Sequence, residues 1–274
     1  MFFKYQISSY NIKSFAQINF LKEHNFNSSL ADIEILRNND LVVPSIFCSK
    51  DSHYDINLKK SIIFFKELAY VEIINNGRTI LVKELGNIKS NTFFISKLVN
   101  QIIPYSIYMQ NNLVLHASGI SSKDKSIIFL GRSGSGKSSL SASFKNKNFI
   151  SEDSIICDNK FHAIPHSPIV KLSDNIADLL EFNRDKISNI TNDRLNRSLY
   201  HISNFSIKSK PIKKCYILKW GNKFNISKVY DNKTKLRELY ASSYVSHPLG
   251  SCNESSLNEF QQFARFIREI PIYI

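Results

Sequence analysis

The run Gly131-Arg-Ser-Gly-Ser-Gly136-Lys137-Ser138 confines its part of the chain to one local geometry, a backbone loop curled around an anion. Glycines at these spacings let successive N–H groups turn inward toward phosphate oxygens. The lysine reaches the outer phosphates and the hydroxyl after it is suited to magnesium. Average residue usage gives a chance match in roughly one chain per hundred of this length. Here the run also follows the apolar stretch Ile127–Leu130 and precedes a helix-like one, and three of the chain's 8 glycines, Gly131, Gly134 and Gly136, fall inside six residues of the run. The pattern implies ATP and Mg2+, held by Gly131, Ser133, Gly134, Ser135, Gly136, Lys137, Ser138 and Ser139.

A chain of 274 residues that is 43% hydrophobic can bury a substantial core. No apolar stretch approaches the ~20 residues that span a bilayer, and the start has no secretory layout, so a cytoplasmic protein with no membrane partner is expected. Cys48, Cys157, Cys215 and Cys252 form no C-x-x-C pair and read as reduced thiols rather than a zinc site or disulfide framework. The formal charge of +13 is uneven: residues 1–110 carry net +3 and residues 111–274 net +10. From Arg184 to Arg237, with Lys208, Lys210, Lys213 and Lys214 among them, 14 basic residues stand against three acidic ones. Two readings stand, a surface that attracts an acidic peptide or nucleotide and a merely solvated face. No aromatic-and-basic signature accompanies the charge, so nucleic acid is not expected as a partner. The oligomeric state is open and leaves room for a homo-oligomer.

Strand-like runs at Ala31–Leu36 and Ile62–Phe65, and a hairpin of Tyr70–Ile74, Asn75-Asn-Gly77 and Thr79–Val82, give a β-rich N-terminal lobe over 1–105. The spacing of Phe94, Leu98, Ile102 and Tyr105 predicts a helix over 91–110 that Pro104 ends or bends. The catalytic domain is then 106–274. In it Leu113–Ile120 and Ser126–Leu130 read as a hairpin delivering the glycine loop, and a short helix from Lys137 to Phe144 or Lys145 leads to the strand Phe149–Ser151. That strand is expected to run back beside the one before the loop, bringing Glu152 and Asp153 to the loop's edge of the sheet. Asp153 with Ser138 suits a metal, and Glu152 suits proton acceptance, with mutual repulsion raising one pKa; one of the two could instead only cap the turn. His116 is a third candidate. Pro165 and Pro168 either shape a loop before a helix capped near Ser173 or Asp174, or place His166, Ser167 and Lys171 against an acceptor. Trp220 reads as core or partly buried.

His116, Gly131 of the loop fifteen positions later, and an acidic pair within sixteen residues of Lys137 together resemble the HPr kinase/phosphorylase family, whose core is related to phosphoenolpyruvate carboxykinase. The resemblance is closest to the stand-alone serine kinases encoded with lasso peptides and other ribosomally made peptides, through Ala31–Ile35, Gly77–Ile80, Leu115–Ser118, Ala163–Leu172 and Ile270–Ile274. It implies a mixed α/β (α+β) P-loop kinase core of the carboxykinase type beside the smaller β-rich lobe. It further implies a kinase that phosphorylates a serine of a precursor peptide, with Glu152 as base, Asp153 as metal ligand, and Lys137 and His116 as catalytic residues. The family's usual pair is Asp-Asp, so Glu152 is a departure, and no counterpart of the phosphorylase signature is present. Alternatives are a kinase of a small hydroxylated metabolite or an HPr-like carrier protein, and a non-catalytic nucleotide-binding regulator.

Overall fold

A computed structural model describes residues 2–7, 9–18, 21, 23, 26–44, 52–56, 60–86, 92–182, 186–189, 197–243 and 256–274. Cys48, Cys252, Asn91, Arg184 and the basic-stretch residues 190–196 lie outside them. Within them the fold is mixed α/β, with two mixed sheets and one antiparallel sheet. No helix among the described residues is long and apolar enough to cross a membrane.

The first sheet contains β1 (Phe3–Ile7), β2 (Tyr10–Ser14), β3 (Ile33–Arg37), β4 (Ser52–Ile56), β5 (Ser61–Phe65), β6 (Ala69–Ile74) and β7 (Thr79–Glu84), in the order β1-β2-β3-β7-β6-β5-β4. Strand β3 is parallel to both its neighbours. The expected hairpin is β6–β7, with Ile74 opposite Thr79. Asn75, Asn76 and Gly77 all take positive φ, the conformation for which Asn and Gly are the suitable residues. Gly77 is also a docking point: Ser106 Oγ donates to its carbonyl, and a Cβ there would lie 2.0 Å from the Ser106 carbonyl oxygen. Gly77→Ala is therefore expected to cost about 2–3 kcal/mol, from backbone strain plus displacement of the helix. Urea denaturation read by circular dichroism measures it.

Next come α1 (Thr92–Lys97), a π-helical turn at Leu98–Ile102, and α2 (Ile103–Met109). Pro104 does not end this helix. It sits in the first turn of α2, directly after the π turn, where the irregular hydrogen bonding accommodates its missing N–H. Phe94, Leu98, Ile102 and Tyr105 are all buried, in a core that joins the first sheet to Val114, Ile156 and Ile164 of the second. The helical segment thus lies between the two sheets.

Strands β8 (Leu113–Leu115), β9 (Ser118–Ser122) and β10 (Lys125–Leu130), helix α3 (Lys137–Ser143), and strands β11 (Asn148–Ser151), β12 (Ile155–Cys157) and β13 (His162–Ile164) follow. Then come β14 (Ile169–Ser173), α4 (Asp174–Leu179), β15 (Lys186–Asn189), β16 (Arg197–His201), β17 (Lys210–Ile217), α5 (Asn232–Ala241), α6 (Ser256–Glu269) and β18 (Ile272–Tyr273). The second sheet runs β11-β9-β10-β17-β13-β12-β8, with β18 beside β17. Strands β14, β16 and β15 make the third.

Two expectations need correction. Leu113–Ile120 is not one strand: it breaks at His116 and Ala117, so that β8 pairs with β12 while β9 pairs with β10 and β11. Strand β11 does not lie against β10, because β9 and β17 already occupy both its edges. Instead β11 is antiparallel to β9 and so points the same way as β10, one strand removed. Both end at the same edge of the sheet, Phe129 being opposite Ser118 and Ser151 opposite Gly119. Beneath, Ile128 and Leu130 alternate into a core with Phe263, Phe266 and Ile267 of α6. Cys157 and Cys215 are buried free thiols in this second core.

Candidate functional site

Gly131, Gly134 and Gly136 have φ of 144°, 79° and 88°, values that favour glycine. At Gly131 the small residue serves packing, since a Cβ would meet Ser135 Oγ at 2.6 Å and the Leu218 carbonyl oxygen at 2.8 Å. At Gly134 and Gly136 a Cβ would meet nothing within 4 Å, so these two open the loop's surface. Lys137 folds back over the loop, its Nζ donating to the carbonyls of Gly131 at 2.7 Å and Arg132 at 3.2 Å. Ser118 Oγ donates to the Lys137 carbonyl at 2.8 Å, tying α3 to β9. Ser133 is exposed, whereas Ser135, Ser138 and Ser139 are half-buried.

The chain turns sharply after β11. Asp153 takes φ 63°, and the Ser154 N–H donates back to the Glu152 carbonyl at 2.7 Å. This reversal lets two sequence neighbours, whose side chains would diverge on a straight strand, reach one cation, Lys171 on β14. Lys171 Nζ donates to Asp153 Oδ2 and lies 3.5 Å from Glu152 Oε1, while the Lys171 backbone N–H donates to Glu152 Oε2. Glu152 is 1% exposed. Asp153 is held at both ends: its carbonyl meets His116 Nδ1 at 2.8 Å and its carboxylate meets Lys171.

The two carboxyls are pushed apart in acidity. Burial raises Glu152 to about 7; the Asp153 charge adds to this, and the lowering by Lys171 does not offset it. Repulsion between neighbours is thus the smaller cause, and desolvation the larger. Burial also opposes ionisation of Asp153, but Lys171, His116 and Lys97 together outweigh it and hold that carboxyl well below its ordinary range. Burial lowers His116, against the pull of Asp153, and lowers Lys137 likewise.

Sequence reasoning missed two further cations at this cluster. Lys97, at the end of α1, is lowered to about 8 by burial first and by Lys171 second. Arg197 of β16 acts on Glu152, Lys97 and Lys171. Both come from elements remote in sequence, and no motif marks them. Lys171 was visible only as a member of the proline segment, not as the partner of the acidic pair.

His166 and Ser167 are buried and not on an open surface. They are 1% and 0% exposed, and burial lowers His166 to about 4. Its Nε2 lies 2.9 Å from Ser154 Oγ, which donates to the Asn100 carbonyl at 3.0 Å. The histidine is a buttress for the turn that carries the carboxylates. Pro165 and Pro168 shape the connection from β13 to β14, and Ser173 precedes α4 in extended conformation. Lys208, Lys213 and Lys214 are exposed near and along β17, and Lys219 and Arg237 pair with Glu238. Trp220 is not core: it is 83% exposed, and its indole N–H donates to the Gly134 carbonyl at 3.1 Å.

Among the described residues no cluster of three or more His, Cys, Asp or Glu could hold a metal alone. Magnesium shared with phosphates needs only one or two protein oxygens, and the Ser138 hydroxyl with an ionised Asp153 fits that requirement. Neither the protein-family models nor the curated proteins compared with this chain give a match.

Proposed function

We propose that the protein is an ATP- and magnesium-dependent kinase, of the HPr-kinase and carboxykinase type, that transfers a γ-phosphoryl group to a serine hydroxyl of a peptide. The observation that carries the reading is that the strand entering the glycine loop and the strand carrying a carboxyl raised to about 7, with a neighbour kept ionised, end at one sheet edge. Two carboxyls driven apart in this way suit two different roles. Glu152 can accept a proton from the acceptor hydroxyl near neutrality, and Asp153 supplies a fixed negative charge.

The loop amides and Lys137 would hold the phosphates. Lys171, Lys97 and Arg197 supply further positive charge beside the carboxylates, which suits a transition state with charge spread over phosphoryl oxygens. His116, held through its Nδ1 contact with the Asp153 carbonyl, orients that turn. Magnesium at Ser138 and Asp153 would neutralise phosphate charge. Transfer then breaks the bond from the γ-phosphorus to its bridging oxygen, leaving ADP. The serine oxygen bonds to phosphorus and its proton passes to Glu152. The peptide acceptor, and a ribosomally made precursor as its source, rest on the family resemblance.

The test is intact-mass spectrometry of serine-containing precursor peptides incubated with the protein, ATP and magnesium. A phosphate gained on serine, and lost with Lys137→Ala, is the expected result. Unmodified peptides alongside phosphorylated small hydroxylated metabolites would overturn the peptide assignment.

A further inference from the structure

The sheet face that carries α3 is only partly covered. A seven-residue helix is about 10 Å long, and it leaves Ile127, Phe129 and Tyr216 as the floor of a cleft of about 1000 Å3. Leu140 and Phe144 of α3 form one wall, and the segment from Leu218 to Ser227 forms the other. That segment carries three outward apolar side chains: Trp220 at 83%, Phe224 at 93% and Ile226 at 52% exposure. Such a concentration on one short loop marks a binding surface rather than a fold requirement.

Its position says what binds. The cleft is continuous with the phosphate loop, since Ser135 and Gly136 line it and the Trp220 indole is bonded to Gly134. The cleft runs over β9, β10 and β17, and its outer wall, the Trp220 segment, follows β17, three strand spacings or about 14 Å from β11, which Glu152 and Asp153 leave. A triphosphate lying over the loop with its γ end toward the carboxylates must point its α end, and the nucleoside beyond it, toward Trp220. We infer that this cleft takes the nucleoside half of the nucleotide, its base stacked on the Trp220 ring. The inference rests on the reading that residues 131–138 hold a triphosphate. Stacking on an exposed aromatic face discriminates weakly among bases, so other nucleoside triphosphates bind within about tenfold of ATP.

Trp220 is the chain's single tryptophan, so its fluorescence reports this site alone. Calorimetric titration of the unmodified protein, Trp220→Ala and Trp220→Phe with magnesium and either ATP or inorganic tripolyphosphate is the test. The inference expects tripolyphosphate to bind all three proteins equally. ATP should bind Trp220→Ala about tenfold more weakly, and Trp220→Phe nearly as well as the unmodified protein. ATP should also quench the tryptophan more than tripolyphosphate does. Unchanged ATP affinity in Trp220→Ala overturns the inference, as does an equal loss for both ligands, which would mean that the indole acts only by holding the loop. A defect in peptide binding alone would assign the cleft to the acceptor and overturn it too. If the unmodified protein binds neither ligand, the phosphate-loop reading itself fails, and the inference fails with it.

Discussion

For the proposed kinase, Glu152→Gln is expected to lower turnover about 10²–10⁴-fold while ATP binding persists, because on that reading it removes the proton acceptor and leaves the glycine loop intact. The sign of the accompanying pH effect is fixed by the raised pKa. With Glu152 at about 7, the ionised, proton-accepting form disappears as pH falls below that value. Turnover of the unmodified protein should therefore fall about tenfold per pH unit on the acid side, and initial rates between about pH 5 and 9 measure it. Stability runs in the opposite sense. A carboxyl whose folded pKa lies above its ordinary 4.5 favours the fold at low pH, and that advantage is lost as pH rises through about 7. Glutamine relieves that loss, so the variant should be no less stable at pH 8, which separates a lost base from a lost fold. A flat pH profile together with a slight Gln effect would transfer the proton-accepting role to Asp153.

Lys171→Met is expected to destabilise the protein by about 3–5 kcal/mol at pH 7, because it removes the cation that both the buried Glu152 and the largely enclosed Asp153 are paired with. The sign follows from both partners. Asp153, held below its ordinary 3.8, contributes stability above that pH and loses it as pH falls through its folded value. Lys171 is raised above its ordinary 10.5 by Asp153 and Glu152, against the opposing effect of burial. Its contribution is complete below 10.5 and fades as pH rises through the folded value. The pair's stabilisation thus fills the interval between those limits. Denaturation at several pH values should show the deficit largest where the stranded carboxyls are ionised, shrinking as they take up protons in acid.

What could be read from the residues and what could not divides along sequence separation. The loop 131–138, the Asn-Asn-Gly hairpin and the helix after Lys137 announce themselves through local rules of turn chemistry and periodicity. The closeness of Glu152 and Asp153 to the loop followed from the length of a short helix, although the neighbouring strand is β9 rather than β10. Lys171 bonds the carboxylates from β14, while Lys97 of α1 and Arg197 of β16 act on them through charge, and tertiary proximity across such distances leaves no spacing to count. Trp220 defied the usual burial of its residue type, and its bond to the Gly134 carbonyl joins two segments 86 residues apart, which no local pattern marks. His166 could be placed after the acidic strand, but its role under Ser154 depends on the Asn100 carbonyl, which arrives from the π-helical turn.

That turn has a consequence for how the chain can be divided. A fragment beginning at residue 106 would contain the glycine loop, both carboxylates and Lys171, every residue of the local pattern. It would lack the Asn100 carbonyl under Ser154, the Lys97 cation, and most of the helical layer that buries Val114, Ile156 and Ile164. The N-terminal sheet, anchored to that helix through Gly77 and Ser106, is therefore part of the foundation on which the acidic turn stands, and a cut between residues 105 and 106 would divide the support from what it supports.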